Sequence, residues 1–216
     1  MNKVLIIGAS GFIGSAILNE ALSRGLEVTA VNRNPDKIAI EHPLLHKVKG
    51  DILSKKSLQP LLKGVKNIIS AFNPGWTDPK IFENTIKGYA NLFECAKKAK
   101  VERLLIVGGA GILFVSEGVR MINSGKIPKA ILPGVKAMAA ILYELQANEK
   151  ELDWVFFCPA GEISPGARTG KYRLGRDNLI VNPNGESKIS VEDYAMEMIN
   201  ELQHPKRHRT RFTIGY

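Results

Sequence analysis

A stretch close to the start of the chain, Gly8-Ala-Ser-Gly11-Phe-Ile-Gly14, constrains the fold more than any other feature. It follows the apolar run Val4–Ile7 and opens a segment of helical spacing, Phe12–Arg24. Glycine at position 8 permits a tight turn from strand to helix. Glycine at 11 lets the backbone approach a pyrophosphate, and glycine at 14 lets the helix pack closely on the strand. The helix start then offers unpaired N–H groups and a partial positive charge to phosphates. A glycine triplet alone is a tight turn. Set between a strand, an amphipathic helix and a second strand, it predicts a dinucleotide site around Gly8, Ser10, Gly11, Phe12 and Ile13.

The rest of the chain repeats the pattern. Apolar runs at Val28–Val31, Asn67–Ala71, Leu104–Val107 and Trp154–Cys158, with a weaker one at His46–Lys49, lack in/out alternation, as strands covered on both faces do. Between them Ser54–Leu62, Pro79–Lys100 and Gly134–Glu151 have helical spacing. Asp78-Pro79 reads as an N-cap and first-turn pair, with Phe82, Ile86, Tyr89, Phe93 and Ala96 on one face behind it. Strand–helix alternation of this kind predicts an α/β fold, a doubly wound, Rossmann-like parallel sheet in one domain over residues 1–216. Glycines and prolines cluster in Ala160–Asn184, and Ser190-Val-Glu-Asp193 reads as a capping box opening a final helix, before a last strand at Arg211–Ile214. Residues 160–190 are expected to form a small, loop-rich C-terminal substrate lobe over the carboxyl ends of the strands.

Composition excludes several classes. With 44% hydrophobic and 24% charged residues, the chain is neither disordered nor fibrous. Cys95 and Cys158 stand far apart without metal-ligand spacing, which points to a reducing, cytoplasmic setting. The uncharged stretch Val4–Asn19 is broken by glycines and serines and is too short to span a bilayer, so no membrane partner is expected. Net charge is +9, with 15 basic against 8 acidic residues in 1–100 but 15 against 13 in 101–216. That excess suits an anionic ligand in the first half. The densest cluster, Lys206, Arg207, Arg209 and Arg211, has no interleaved aromatics of the kind that stack bases, so no nucleic-acid partner is expected.

Further motifs follow in order: Gly50-Asp51-Ile52, Ile69-Ser-Ala71-Phe72, Asn84-Thr-Ile-Lys-Gly88 through Asn91-Leu-Phe, and Leu152-Asp-Trp-Val-Phe-Phe-Cys-Pro159. With the G-x-x-G-x-x-G turn, they make the chain resemble the short-chain dehydrogenase/reductase superfamily over nearly its whole length. The likeness is to its extended and atypical branches, in particular the NmrA-like, NADH-flavin reductase and biliverdin-IXβ reductase group, also labelled epimerase/dehydratase. The resemblance implies that Asp51 and Ile52 lie against the adenine, that the Ala71–Phe72 backbone passes the ribose, and that Pro159 and Ala160 lie beside the nicotinamide.

The departures matter as much. The superfamily's dehydrogenases and epimerases use Tyr-x-x-x-Lys with a Ser or Thr. Here Tyr89, Tyr143 and Tyr194 are followed four residues later by Phe93, Ala147 and Met198, and Tyr172-x-x-x-Arg176 lies beyond the sixth strand. On the helix where the pair belongs, aligning Glu144 leaves Lys136 and Ala140 in its two positions, and Gly108-Gly-Ala-Gly111 carries no hydroxyl. No catalytic residue can be named. There is no G-x-S-x-G elbow or phosphate-loop lysine, and the His42/His46 and His204/His208 pairs are each interrupted by a proline, so no metal is expected.

The reading is an NAD(P)H-dependent reductase for a flat conjugated acceptor: a flavin, quinone or tetrapyrrole. Phe72, Trp76, Phe114, Met121 and Tyr143 are candidates for its pocket, with Trp76, Phe114 and Tyr143 taken as substrate residues. The rivals are a non-catalytic redox sensor of the NmrA kind and a nucleotide-sugar epimerase or dehydratase. Where NAD-specific proteins hold a carboxylate after the second strand, this chain has Val31-Asn32-Arg33-Asn34. A guanidinium there suits a 2′-phosphate, so NADP(H) is expected over NAD(H). A monomer or homodimer with only a small-molecule partner completes the expectation.

Overall fold

Apolar side chains on both faces of Val4–Ile7 and Leu104–Val107 require a layer of helices on either side of the sheet, and that is what forms. The computed structural model describes residues 3–216. The strands are β1 (Lys3–Ile7), β2 (Glu27–Asn32), β3 (Leu45–Lys49), β4 (Asn67–Ser70), β5 (Arg103–Val107), β6 (Phe114–Ser116), β7 (Val119–Arg120), β8 (Trp154–Cys158), β9 (Glu162–Ser164), β10 (Arg173–Gly175), β11 (Lys188–Ser190) and β12 (Thr210–Gly215). The helices are α1 (Phe12–Ser23), α2 (Lys55–Leu58), α3 (Ile81–Lys98), α4 (Leu132–Asn148) and α5 (Val191–Gln203).

The main sheet has eight strands in the order β10-β12-β8-β5-β4-β1-β2-β3. All neighbours are parallel except β10, which runs antiparallel to β12. The winding direction reverses between β1 and β4, where such sheets open a crevice at the carboxyl ends. This is the doubly wound, Rossmann-like fold.

Period-two alternation sends successive residues to opposite layers. Leu5, Ile7, Leu104, Ile106, Trp154 and Phe156 pack with α3 and α4, while Val4, Ile6, Leu105, Val155 and Phe157 pack with α1 and α5. On the second side Phe157 stacks between Tyr194 and Phe212, with centroids 4.2 and 4.0 Å away. The Tyr194 hydroxyl donates to the Phe157 carbonyl at 2.7 Å. Each aromatic pair contributes about 0.5–1.5 kcal/mol beyond its buried area.

Several local expectations are corrected. Lys80, not Asp78, is the N-cap of α3, and the helix starts at Ile81. The Asp78 carboxylate instead accepts from the Lys80 N–H and the Asn84 side-chain amide, both at 2.8 Å, in a turn before the helix. Phe82 is exposed, and Ile81 takes the buried place. The 54–62 segment is a single α-turn followed by a 3₁₀ turn containing Pro60. α4 runs from Leu132 to Asn148, earlier at both ends than the apolar spacing suggested. Ser190 caps α5 by accepting from the Asp193 N–H at 3.0 Å. The Asp193 side chain does not complete the box: it accepts from Thr169, Gly170 and Tyr216.

The 160–190 segment contains three short strands. Its first residues pair as β9 with β11, and β10 joins the main sheet as its edge. Between them the chain turns down the outside of α1 and α5, where Arg168 makes a bidentate contact to Glu20 at 2.7 and 2.8 Å. The C-terminal basic cluster is largely engaged within the fold. Arg207 pairs with Glu201 and lies over the Phe212 ring, Arg211 pairs with Asp177, and Arg209 donates to the Lys150 carbonyl.

Candidate functional site

The crevice between β1 and β4 is built by three glycines that do different work. Gly8 has φ +83°, and a Cβ there would lie 2.5 Å from the Ala71 carbonyl oxygen. A Cβ on Gly14 would lie 2.0 Å from the Gly8 carbonyl oxygen. Both positions need glycine for the fold itself. Gly11 does not: its φ is −80°, its surroundings are open, and the nearest atom to a Cβ would be 3.4 Å away. An exposed glycine that the backbone does not require, at the mouth of a crevice, leaves space for a ligand to touch the main chain.

The start of α1 matches that space. No side chain caps it, and among the described residues the Phe12 and Ile13 N–H groups donate to no protein acceptor. Such a terminus suits phosphate oxygens. A dinucleotide pyrophosphate therefore fits the residues present.

Around this centre the sequence-predicted positions fall as follows. Ser10 is exposed and accepts from the Asn32 side-chain amide, which ties the glycine loop to the end of β2. Arg33, next to it, is exposed. Asp78 faces this region, and its carboxyl is held below the usual range by the Asn84 amide first and the Lys80 N–H next, with the Arg33 charge acting in the same direction. Asp51 ends the β3 turn and accepts from the Leu53 N–H at 2.9 Å. The Ile52 side chain is core, so only its main chain can meet a ligand, and its carbonyl already accepts from Asn91. Ala71 and Phe72 lie against Gly8. Pro159 and Ala160 are buried at the end of β8. Phe12 points outward, lining an open groove of about 640 Å³ between α1, α5 and Arg168, away from the strand ends.

Trp76, Phe114 and Tyr143 do not form one wall. The half-exposed Trp76 indole rests on the first turn of α4, where a Cβ on Gly134 would come within 2.8 Å of it. Tyr143 lies about two and a half turns further along the same helix. There it shares the Arg120 guanidinium with Phe114, at 5.8 and 4.4 Å from the ring centroids. Met121 approaches the β8 end: a Cβ on Gly161 would lie 3.5 Å from its Cε, and the Gly161 N–H donates to Ser187. Sequence reasoning missed Asn32, Gly134, Gly161 and Ser187. The Asn in Val31-Asn-Arg-Asn was a local signal for the first, whereas the others depend on long-range packing.

Every tyrosine has a defined place. Tyr89 is fully buried, which pushes its phenol up to about 12, and it accepts from Ser70 at 3.3 Å. Tyr194 is buried on Phe157, Tyr172 donates to Glu197, and Tyr216 donates to Asp193. Tyr143 is exposed beside Arg120.

A profile of NAD(P)H-binding proteins matches residues 8–205, almost the whole described chain. The chain belongs to the NAD(P)H-binding family. It is 38% identical to the uncharacterised Bacillus subtilis protein YwnB over 98% of this chain and 97% of that protein. The crystal structure of a Bacteroides thetaiotaomicron protein, provisionally named an epimerase, superposes with a TM-score of 0.93 at 53% identity, covering 100% of this chain and 97% of that one. A Streptococcus pneumoniae protein, provisionally named an NADH-flavin reductase, does so with 0.83 at 31% identity, covering 100% and 99%. Human sterol-4-alpha-carboxylate 3-dehydrogenase is 30% identical over 61% of this chain, which spans about a third (35%) of that enzyme's length. These likenesses fit the extended short-chain dehydrogenase/reductase group. Among the described residues no helix is long and apolar enough to cross a membrane, and no His, Cys, Asp or Glu cluster suits a metal ion.

Proposed function

We propose that this protein is an NADPH-dependent reductase that passes hydride to a flat conjugated acceptor such as a flavin, quinone or tetrapyrrole. The observation that carries the nucleotide half is Gly11, a glycine required by neither backbone nor packing at the uncapped start of α1. The Phe12 and Ile13 N–H groups would hold the pyrophosphate, the Ala71–Phe72 backbone would border the ribose, and Arg33 would grip the 2′-phosphate. When bound, the nicotinamide supplies the hydride. Likeness to the pneumococcal protein provisionally named an NADH-flavin reductase supports the acceptor class.

The tyrosines support the reductase reading over epimerisation, despite the name of the Bacteroides relative. Four of them are buried or bonded to other groups, and Tyr143 has Ala147 four residues on. A general acid is worth about a hundred- to ten-thousand-fold to carbonyl reduction. A conjugated ring spreads the arriving charge and takes its proton from water. Trp76, held on Gly134, gives such a ring an aromatic surface.

The test is NADPH oxidation with FMN, riboflavin and menadione against an aliphatic ketone. Turnover with the flat acceptors and little with the ketone is expected. Tight NADPH binding with no turnover on any of them identifies the protein as a redox sensor instead.

A further inference from the structure

Position 88 lies inside an 18-residue helix, where glycine is the poorest choice but proline. What a Cβ there would meet is one side chain: it would lie 2.5 Å from Phe72 Cε1 and 3.2 Å from Cδ1 and Cζ. The next residue, Tyr89, meets the same ring edge-on at 6.1 Å and accepts from Ser70 at 3.3 Å. Ser70, the last residue of β4, and Phe72, two residues beyond it, both meet Tyr89, so Gly88 and Tyr89 together hold both. On the other side, the Ala71 carbonyl and the Phe72 nitrogen lie 2.5 and 3.2 Å from where a Gly8 Cβ would be. Two bare glycines thus flank residues 71–72: Gly8 in the nucleotide loop lies against the Ala71–Phe72 peptide, and Gly88 on α3 lies against the Phe72 ring.

We propose that Gly88 is a positioning residue for the dinucleotide: by letting the Phe72 ring lie against α3, it sets the Ala71–Phe72 backbone at the edge of the crevice. This rests on the reading that this backbone borders the bound ribose. A methyl at 88 moves the ring, and the peptide attached to it shifts toward Gly8. Alanine is also the better helix former, so the variant keeps or gains thermal stability unless the ring cannot yield.

Calorimetric titration with NADPH tests the idea on Gly88→Ala, Phe72→Leu and the double variant, each checked by circular dichroism. Expected is at least a tenfold rise in Kd for Gly88→Ala with the melt preserved, and recovery to within about threefold when Phe72→Leu is added. A folded Gly88→Ala that binds like wild type overturns the proposal, as does a double variant no better than the single one. If Gly88→Ala does not fold, Phe72→Ala releases the same peptide and should weaken binding at least tenfold; unchanged affinity there also overturns it. Gly11→Val, measured alongside, separates the two claims. Loss of binding in that variant with no effect at 88 leaves the nucleotide reading intact and removes the positioning role.

Discussion

Gly14 lies so close to Gly8 that a Cβ on it would sit 2.0 Å from the Gly8 carbonyl oxygen, while a Cβ on the glycine between them, Gly11, would meet that oxygen at an ordinary 3.4 Å. The two kinds of glycine should separate on mutation. Gly11→Val should leave circular dichroism unchanged and abolish NADPH binding in a calorimetric titration. Gly14→Ala should cost stability, about 1–3 kcal/mol or more because the obstacle is backbone, read as a lowered thermal midpoint. Wild-type affinity in folded Gly11→Val would make the loop a structural turn.

Arg33 should discriminate between the two nicotinamide cofactors. Losing its charge-assisted contacts in Arg33→Ala should cost about 1.5–3 kcal/mol in NADPH binding, roughly ten- to a hundred-fold. NADH affinity should barely move. Equal losses for both cofactors would show that this guanidinium does not read the 2′-phosphate.

Trp76 offers a built-in probe. The chain has two tryptophans, and the other, Trp154, is 1% exposed. A flat acceptor stacking on Trp76 should quench the solvent-exposed part of the emission in NADP-loaded protein. Trp76→Ala should raise the acceptor KM several-fold, from about 0.5–1.5 kcal/mol of lost stacking, with cofactor Kd unchanged. An unaltered KM would remove Trp76 from the acceptor site.

Tyr143→Phe should leave the FMN reduction rate within a few-fold of wild type. A drop of about a hundred-fold or more would instead mark its hydroxyl as a general acid.

The strap from Pro165 to Tyr172 should loosen in acid. The Arg168 hydrogen bonds first, then Arg24, hold the Glu20 carboxyl below its ordinary value of 4.5, against the opposing effect of burial. Because the folded value is the lower one, the contribution is complete above pH 4.5 and is lost as pH falls through the folded value. Glu20→Gln should therefore lower the thermal midpoint at pH 7, with the gap closing as melts are taken progressively below pH 4.5. A gap that persists at low pH would show that the ion pair is not its source.

Much of the fold was legible because its determinants are local. Val4–Ile7 and Leu104–Val107 are short apolar runs without alternation, and only a strand between two helical layers buries both faces of such a run. The glycine turn was equally readable, since strand, turn and helix adjoin in sequence. What failed were choices set by distant partners. Phe82 and Ile81 are equally apolar, and the register of α3 against α4 and Trp76 decided which one is buried. The Asp193 carboxylate left its expected capping role because Thr169, Gly170 and Tyr216 offered it three donors.

By itself the sequence determined the seven parallel strands of the main sheet, the helices between them and the place of the glycine turn, but not the short strands β6, β7, β9, β10 and β11, because backbone conformation and side-chain period act over a few residues. Tertiary structure alone decided that Gly8 and Gly14 serve the fold while Gly11 is left free, that Trp76 stands apart from Phe114 and Tyr143, and that Arg168 turns away to Glu20. The physical reason is that close packing and long-range hydrogen bonding join residues as far apart as Arg24 and Gln203, 179 positions, and no local pattern carries that information.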